Sequence, residues 1–83
     1  MTPRRVQFIR RSRGVHDAFI PHRIYGSICV GQILRSGRGW HWYLDYRVPL
    51  SRGVVPTLAA AKAAFTSAVQ SESFEVKPPE AIA

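Results

Sequence analysis

Cysteine is almost absent from this sequence: Cys29 is the only one among 83 residues, so no disulfide can form within the chain. A lone cysteine in an apolar run reads as a small core residue, and such usage fits a reducing, cytoplasmic compartment. Long apolar runs are missing too. No stretch reaches the roughly 20 residues of a membrane-spanning helix, so no membrane partner is expected. The basic amino terminus lacks the apolar stretch of a signal peptide. Pro3 and the lack of a helical apolar face speak against a transit peptide.

Carboxylates are scarce. Asp17 and Asp45 are the only ones before Glu72, and they fall on different predicted elements. A general acid/base pair needs two such groups close together in a cleft. The spacings of His16, Cys29, His22 and His41 match no metal-ligand pattern. No nucleophile elbow leads into a helix. Gly37-Arg38-Gly39 opens a strand rather than a helix, the wrong context for a phosphate loop. The sequence therefore predicts no catalytic residue, no metal and no cofactor, with His41 on a strand surface and His16 and His22 in loops.

What the chain has instead is positive charge, a net +7. Residues 1–56 hold ten arginines against Asp17 and Asp45, a net +8; residues 57–83 hold Lys62 and Lys77 against Glu72, Glu75 and Glu80, a net −1. Arginine outnumbers lysine ten to two. Arginine suits planar, bidentate contact with phosphate or carboxylate, although a GC-rich genome produces the same bias.

Val6–Arg10 predicts one short strand, and Val15–His22 shows no clear period, with Pro21 as a boundary. Ile24–Leu34 is rich in β-branched residues. Strict alternation would put Ile24, Ile28, Val30 and Leu34 on one face and Tyr25, Cys29 and Ile33 on the other, with Gly26 and Gly31 marking a bulge or a close backbone approach. Ser36-Gly37-Arg38-Gly39 forms a turn. Trp40–Val48 then alternates almost perfectly: Trp40, Trp42, Leu44, Tyr46 and Val48 against His41, Tyr43, Asp45 and Arg47. Pro49 ends that strand, Leu50–Gly53 turns, and Val54-Val55 is a brief third strand. Thr57 caps an Ala-rich helix ending near 70–73. Leu58, Ala61, Phe65, Ala68 and Val69 line a stripe that can pack on the tryptophan face.

The expected fold is α+β, a three- to four-stranded antiparallel sheet packed on one C-terminal Ala-rich helix. Residues 1–23 read as a basic arm with at most one short strand, 24–73 as a β-β-(β)-α core, and 74–83 as a loose tail.

Basic and aromatic residues interleave on the hairpin. Arg35 and Arg38 flank its turn and Arg52 lies in the next one. Arg47, His41, Tyr43, Tyr25 and Arg35 together predict a solvent face that tracks a phosphate backbone and stacks on bases. The plainer alternative is Arg47 paired with Asp45 or simply solvated. Arg4-Arg5 and Arg10-Arg11-Ser12-Arg13 read as an arm that orders on a polyanion, with Arg10, Arg11 and Arg13 as its contact residues; alternatively the arm only solubilises. Both tryptophans are expected in the core.

From Gly39 to Phe65 the spacing resembles the plant ethylene-response-type DNA-binding domain, on Gly39-Trp40, Gly53, Thr57, Ala61, Ala64 and Phe65. That resemblance implies a three-stranded sheet backed by one helix, with Arg35, Arg38 and Arg47 at the positions that read DNA. The helix is also similar to the last helix of the double-stranded-RNA-binding domain. The Trp-x-Trp hairpin followed by a Thr-capped helix resembles small phage and alphaproteobacterial accessory proteins, including anti-CRISPR inhibitors, which implies a cytoplasmic location in a bacterial host. The expected function is a non-catalytic basic module that contacts DNA, RNA or another polyanion. The alternatives are a phage-encoded inhibitor of a protein or ribonucleoprotein effector, and a homodimer through an open sheet edge.

Overall fold

The computed structural model describes residues 5–22, 24–46 and 48–71. Along them run β1 (Gln7–Ser12), β2 (Val15–His22), β3 (Gly26–Ser36), β4 (Gly39–Tyr46), β5 (Val48–Val55) and α1 (Leu58–Ser71). The strands form one antiparallel meander in the order β1-β2-β3-β4-β5. The α+β class is as expected, but the sheet has five strands rather than three or four.

One difference accounts for the strand count and a second for the length of the last strand. Val15–His22, which lacks a period in the sequence, is β2 and pairs along its length with both β1 and β3. Its outward side includes Asp17, which is buried, so polarity does not alternate with accessibility. Residues 7–22 of the expected arm are thus two strands of the sheet. Likewise Pro49–Gly53 is not a break and a turn but part of β5, with Arg52 opposite Tyr43 and Gly53 opposite Trp42. Strand β5 is an edge, where proline is tolerated. The expected tail, 74–83, lies outside the described residues.

Strand β3 contains the irregularity that shapes the site. Ala18 pairs with Gly31 and Phe19 with Cys29, leaving Val30 as an extra residue. This bulge shifts the phase of β3 by one residue, and a one-residue shift exchanges the two faces. Ile28 and Val30 point at the helix before it; Ile33 and Arg35 do so after it, beside Trp42 and Trp40. Cys29 is left on the open face and is exposed, not a core residue.

The helix forms where the sequence places it. The Thr57 hydroxyl accepts the Ala60 N–H at 3.1 Å, a side-chain N-cap. Ala61, Phe65, Ala68 and Val69 are buried against Ala18, Ile20, Val30, Ile33, Trp42 and Leu44 of the sheet. Phe65 meets Phe8 and Trp42 edge-on, with ring centroids 5.6 and 6.3 Å away. Gly31 permits this seating: an added Cβ would lie 2.7 Å from Phe65 Cε2 and collide with the Tyr43 carbonyl oxygen. Burying a side chain of this size contributes about 1.5–3 kcal/mol.

Candidate anion-binding groove

An antiparallel meander puts alternate turns at the same end. The β1–β2 turn (Arg13-Gly14), the β3–β4 turn (Gly37-Arg38), the last residue of β5 and the start of α1 therefore share one end of the sheet. The register confirms it: Val15 pairs with Leu34, Ser36 with Gly39, and Trp40 with Val55. Arg10, Arg11, Arg13, Arg35 and Arg38 gather there, and all five are exposed. The one acidic side chain among the described residues at this end is Asp17. It is 8% exposed, accepts from Arg11 Nε at 2.9 Å and from Gln32 Nε2 at 3.0 Å, and is thereby occupied. The Arg11–Asp17 contact is the only ion pair among the described residues.

On the helix side of this end lies an open groove of about 290 Å³, lined by Arg10, Arg13, Gly14, His16, Arg35, Trp40 and Leu58. The ladder places four of the lining residues, the β1–β2 turn supplies Arg13 and Gly14, and α1 supplies Leu58. Arg10 and His16 are cross-strand partners in β1 and β2, and Arg35 and Trp40 are partners in β3 and β4. The β1–β2 turn is tied to β3 by the Arg35 N–H, which donates to the Gly14 carbonyl at 2.8 Å. The His16 and Trp40 rings lie 5.8 Å apart with planes tilted by 58°. Burial, and then the nearby charges of Lys62 and Arg10, lower the His16 pKa below its ordinary 6.5. These cationic surroundings and the partial burial disfavour the charged form of the ring.

The predicted binding residues divide into two groups. Arg10, Arg13 and Arg35 line the groove, with Arg11 and Arg38 at the same end. Arg35 was expected on the solvent face; the β3 bulge turns it to the helix side. On the open face, His41 and Tyr43 stack on each other with centroids 4.2 Å apart, and the Tyr43 hydroxyl meets His41 Nδ1 at 3.0 Å. Arg52 is exposed opposite Tyr43. Arg47 lies outside the described residues. Tyr25 belongs to the turn at the other end, stacked on His22 at 5.1 Å.

Sequence reasoning missed His16 and Trp40 as groove residues. Without a visible period in β2 the sequence places His16 in a loop, and it places Trp40 in the core with Trp42. Trp42 is buried; Trp40 is half-buried, packs against the core and also lines the groove. The signal available for Trp40 was its place beside the turn, where a strand leaves the shelter of a helix.

Chemically, three guanidinium groups around an apolar wall suit an anion joined to a flat, apolar group. Asp17 is occupied and Asp45 is exposed on β4, with β3 between them. No group of three His, Cys, Asp or Glu suited to a metal occurs among the described residues, and none of their helices is long and apolar enough to cross a membrane. No family model, no curated protein and no solved structure matches the chain.

Proposed function

We propose that this protein is a non-catalytic binding module whose arginine-rich end contacts a nucleic acid. The observation that carries the reading is convergence: two turns and two strand ends bring Arg10, Arg11, Arg13, Arg35 and Arg38 to one end, opposed there by a single, occupied aspartate. Exposed guanidinium groups with few local carboxylates attract a polyanion and hold phosphates through bidentate hydrogen bonds. The predicted sheet-face interface is thus moved to the end of the sheet, with Arg52, His41 and Tyr43 on a separate face.

Labelled single- and double-stranded DNA and RNA, titrated at several salt concentrations, test the proposal. Four phosphate contacts on a single strand, from Arg10, Arg13, Arg35 and Arg38, correspond to a log–log salt slope of about −2.8, or roughly a 50-fold loss of affinity between 50 and 200 mM salt. Replacing Arg13 and Arg38 together by glutamate should abolish binding and leave the circular dichroism unchanged. A chain that binds none of these polymers at low salt would sink the reading and transfer it to a protein effector.

A further inference from the structure

The groove differs from the rest of the basic end in having an aromatic wall. Trp40 and Leu58 supply its apolar side, and Arg10, Arg13 and Arg35 its cationic side. Its volume of about 290 Å³ falls just below the roughly 300–1,000 Å³ typical of small-molecule sites. Trp40 also packs against the core, and phosphate alone would leave unused the part of its side chain that walls the groove. A double helix keeps its base faces stacked inside, so it offers phosphates to the arginines and nothing flat to Trp40. A single strand offers both within one nucleotide, because its bases can splay outward and stack on aromatic side chains. His16, held toward its neutral form beside the indole, adds a hydrogen-bonding group at the wall rather than a further charge.

We infer that the groove seats one nucleotide of a single-stranded nucleic acid, its base against Trp40 and its phosphates on Arg10, Arg13 and Arg35. This rests on the basic end being the nucleic-acid interface and adds the strand state and the seat of the base.

The test is a titration of the nitrogen-15-labelled full chain, at low salt, with three probes in parallel: a short oligothymidylate, a duplex of equal length, and inorganic phosphate. The oligothymidylate should shift the Trp40 indole N–H together with the Gly14 and Arg35 amides. The duplex should move the amides of the turns and leave the indole in place. Trp40→Leu should weaken single-strand binding about tenfold, the loss of one base–aromatic stack, and leave duplex binding unchanged. Trp40→Phe, which keeps a ring, should restore most of the loss. The wild-type titration stands by itself if the leucine variant does not fold.

A single strand that binds without moving the Trp40 indole overturns the inference and leaves the basic-end reading standing. Inorganic phosphate that reproduces the full pattern, indole included, also overturns it, since the groove is then an anion site without a base. No response to either polymer removes both readings.

Discussion

The N–H of Arg35 donates to the carbonyl of Gly14 at 2.8 Å, so a turn between the first two strands is fastened to the end of the third. Arg13 and Arg35 are held on the same groove by that bond. Gly14 has φ +74°, and an added Cβ would stand 3.1 Å from Arg35 Cβ. Gly14→Ala should cost about 1–2 kcal/mol of stability through left-handed strain. Gly26 has φ +80° and open space around it at the opposite end of the sheet. Gly26→Ala should cost stability in the same range yet leave oligonucleotide affinity alone, whereas Gly14→Ala should weaken it. Equal affinities for both variants would dissociate the β1–β2 turn from binding.

The contact of Phe65 with Gly31 is the tightest seat in the core. Gly31→Ala must displace both the ring and the Tyr43 carbonyl. Overpacking of this kind should destabilise the domain by about 3 kcal/mol. Thermal unfolding would register that as a fall of roughly 12 °C or more in Tm. A variant with wild-type Tm would mean that the helix is not seated on β3 in this way.

The histidine of the groove should make stability depend on pH. Burial, Lys62 and Arg10 lower the pKa of His16 in the folded chain. Below about 6.5 the unfolded state therefore takes up a proton that the folded state resists. Stability should drop as pH falls through that value, and His16→Gln should flatten this part of the profile. The groups around the ring are Arg10 on β1, Arg13 in the turn, Arg35 on β3 and Lys62 on α1, all cationic. A bound oligonucleotide neutralises them, so it should raise the His16 pKa in an NMR titration. A downward shift on binding would contradict a phosphate in the groove.

Asp17 stands between Arg11 and Gln32 with its side chain 12% exposed. Asp17→Asn keeps an acceptor for Gln32 but presents an amide to Arg11. The Arg11 side chain is 60% exposed, so solvent weakens the pair, and the loss should be about 1 kcal/mol. The freed guanidinium adds a charge to the basic end, so nucleic-acid affinity at low salt should rise while Tm falls. Chemical denaturation and anisotropy on one variant check both signs; a fall in affinity would mean that Arg11 acts only when held.

Much of the fold was legible where one face of an element is buried and the other is wet. From Trp40 to Tyr46 the sequence alternates as the strand does, and Thr57 with the stripe Ala61, Phe65, Ala68 and Val69 marks the helix and its buried side. Strand β2 was not legible, because its outward Asp17 is covered by Arg11 and Gln32 and its polarity no longer tracks its exposure. Strand β5 was not legible either. Pro49 and Gly53 look like breakers, yet an edge strand tolerates the proline opposite Asp45, and the glycine makes room for Trp42.

The candidate site divides along the same line. Composition and order along the chain determine that positive charge belongs to the sheet half, that few carboxylates oppose it, and that one Ala-rich helix covers one face. Which arginines meet is a matter of register. A single extra residue at Val30 turns Arg35 toward the helix, and the meander closes Arg10, Arg13 and Trp40 around the same groove. A strand's period of two is a local property, written residue by residue. Where that period slips, and which turns share an end, depends on pairing between segments far apart in the chain, and only the folded sheet decides it.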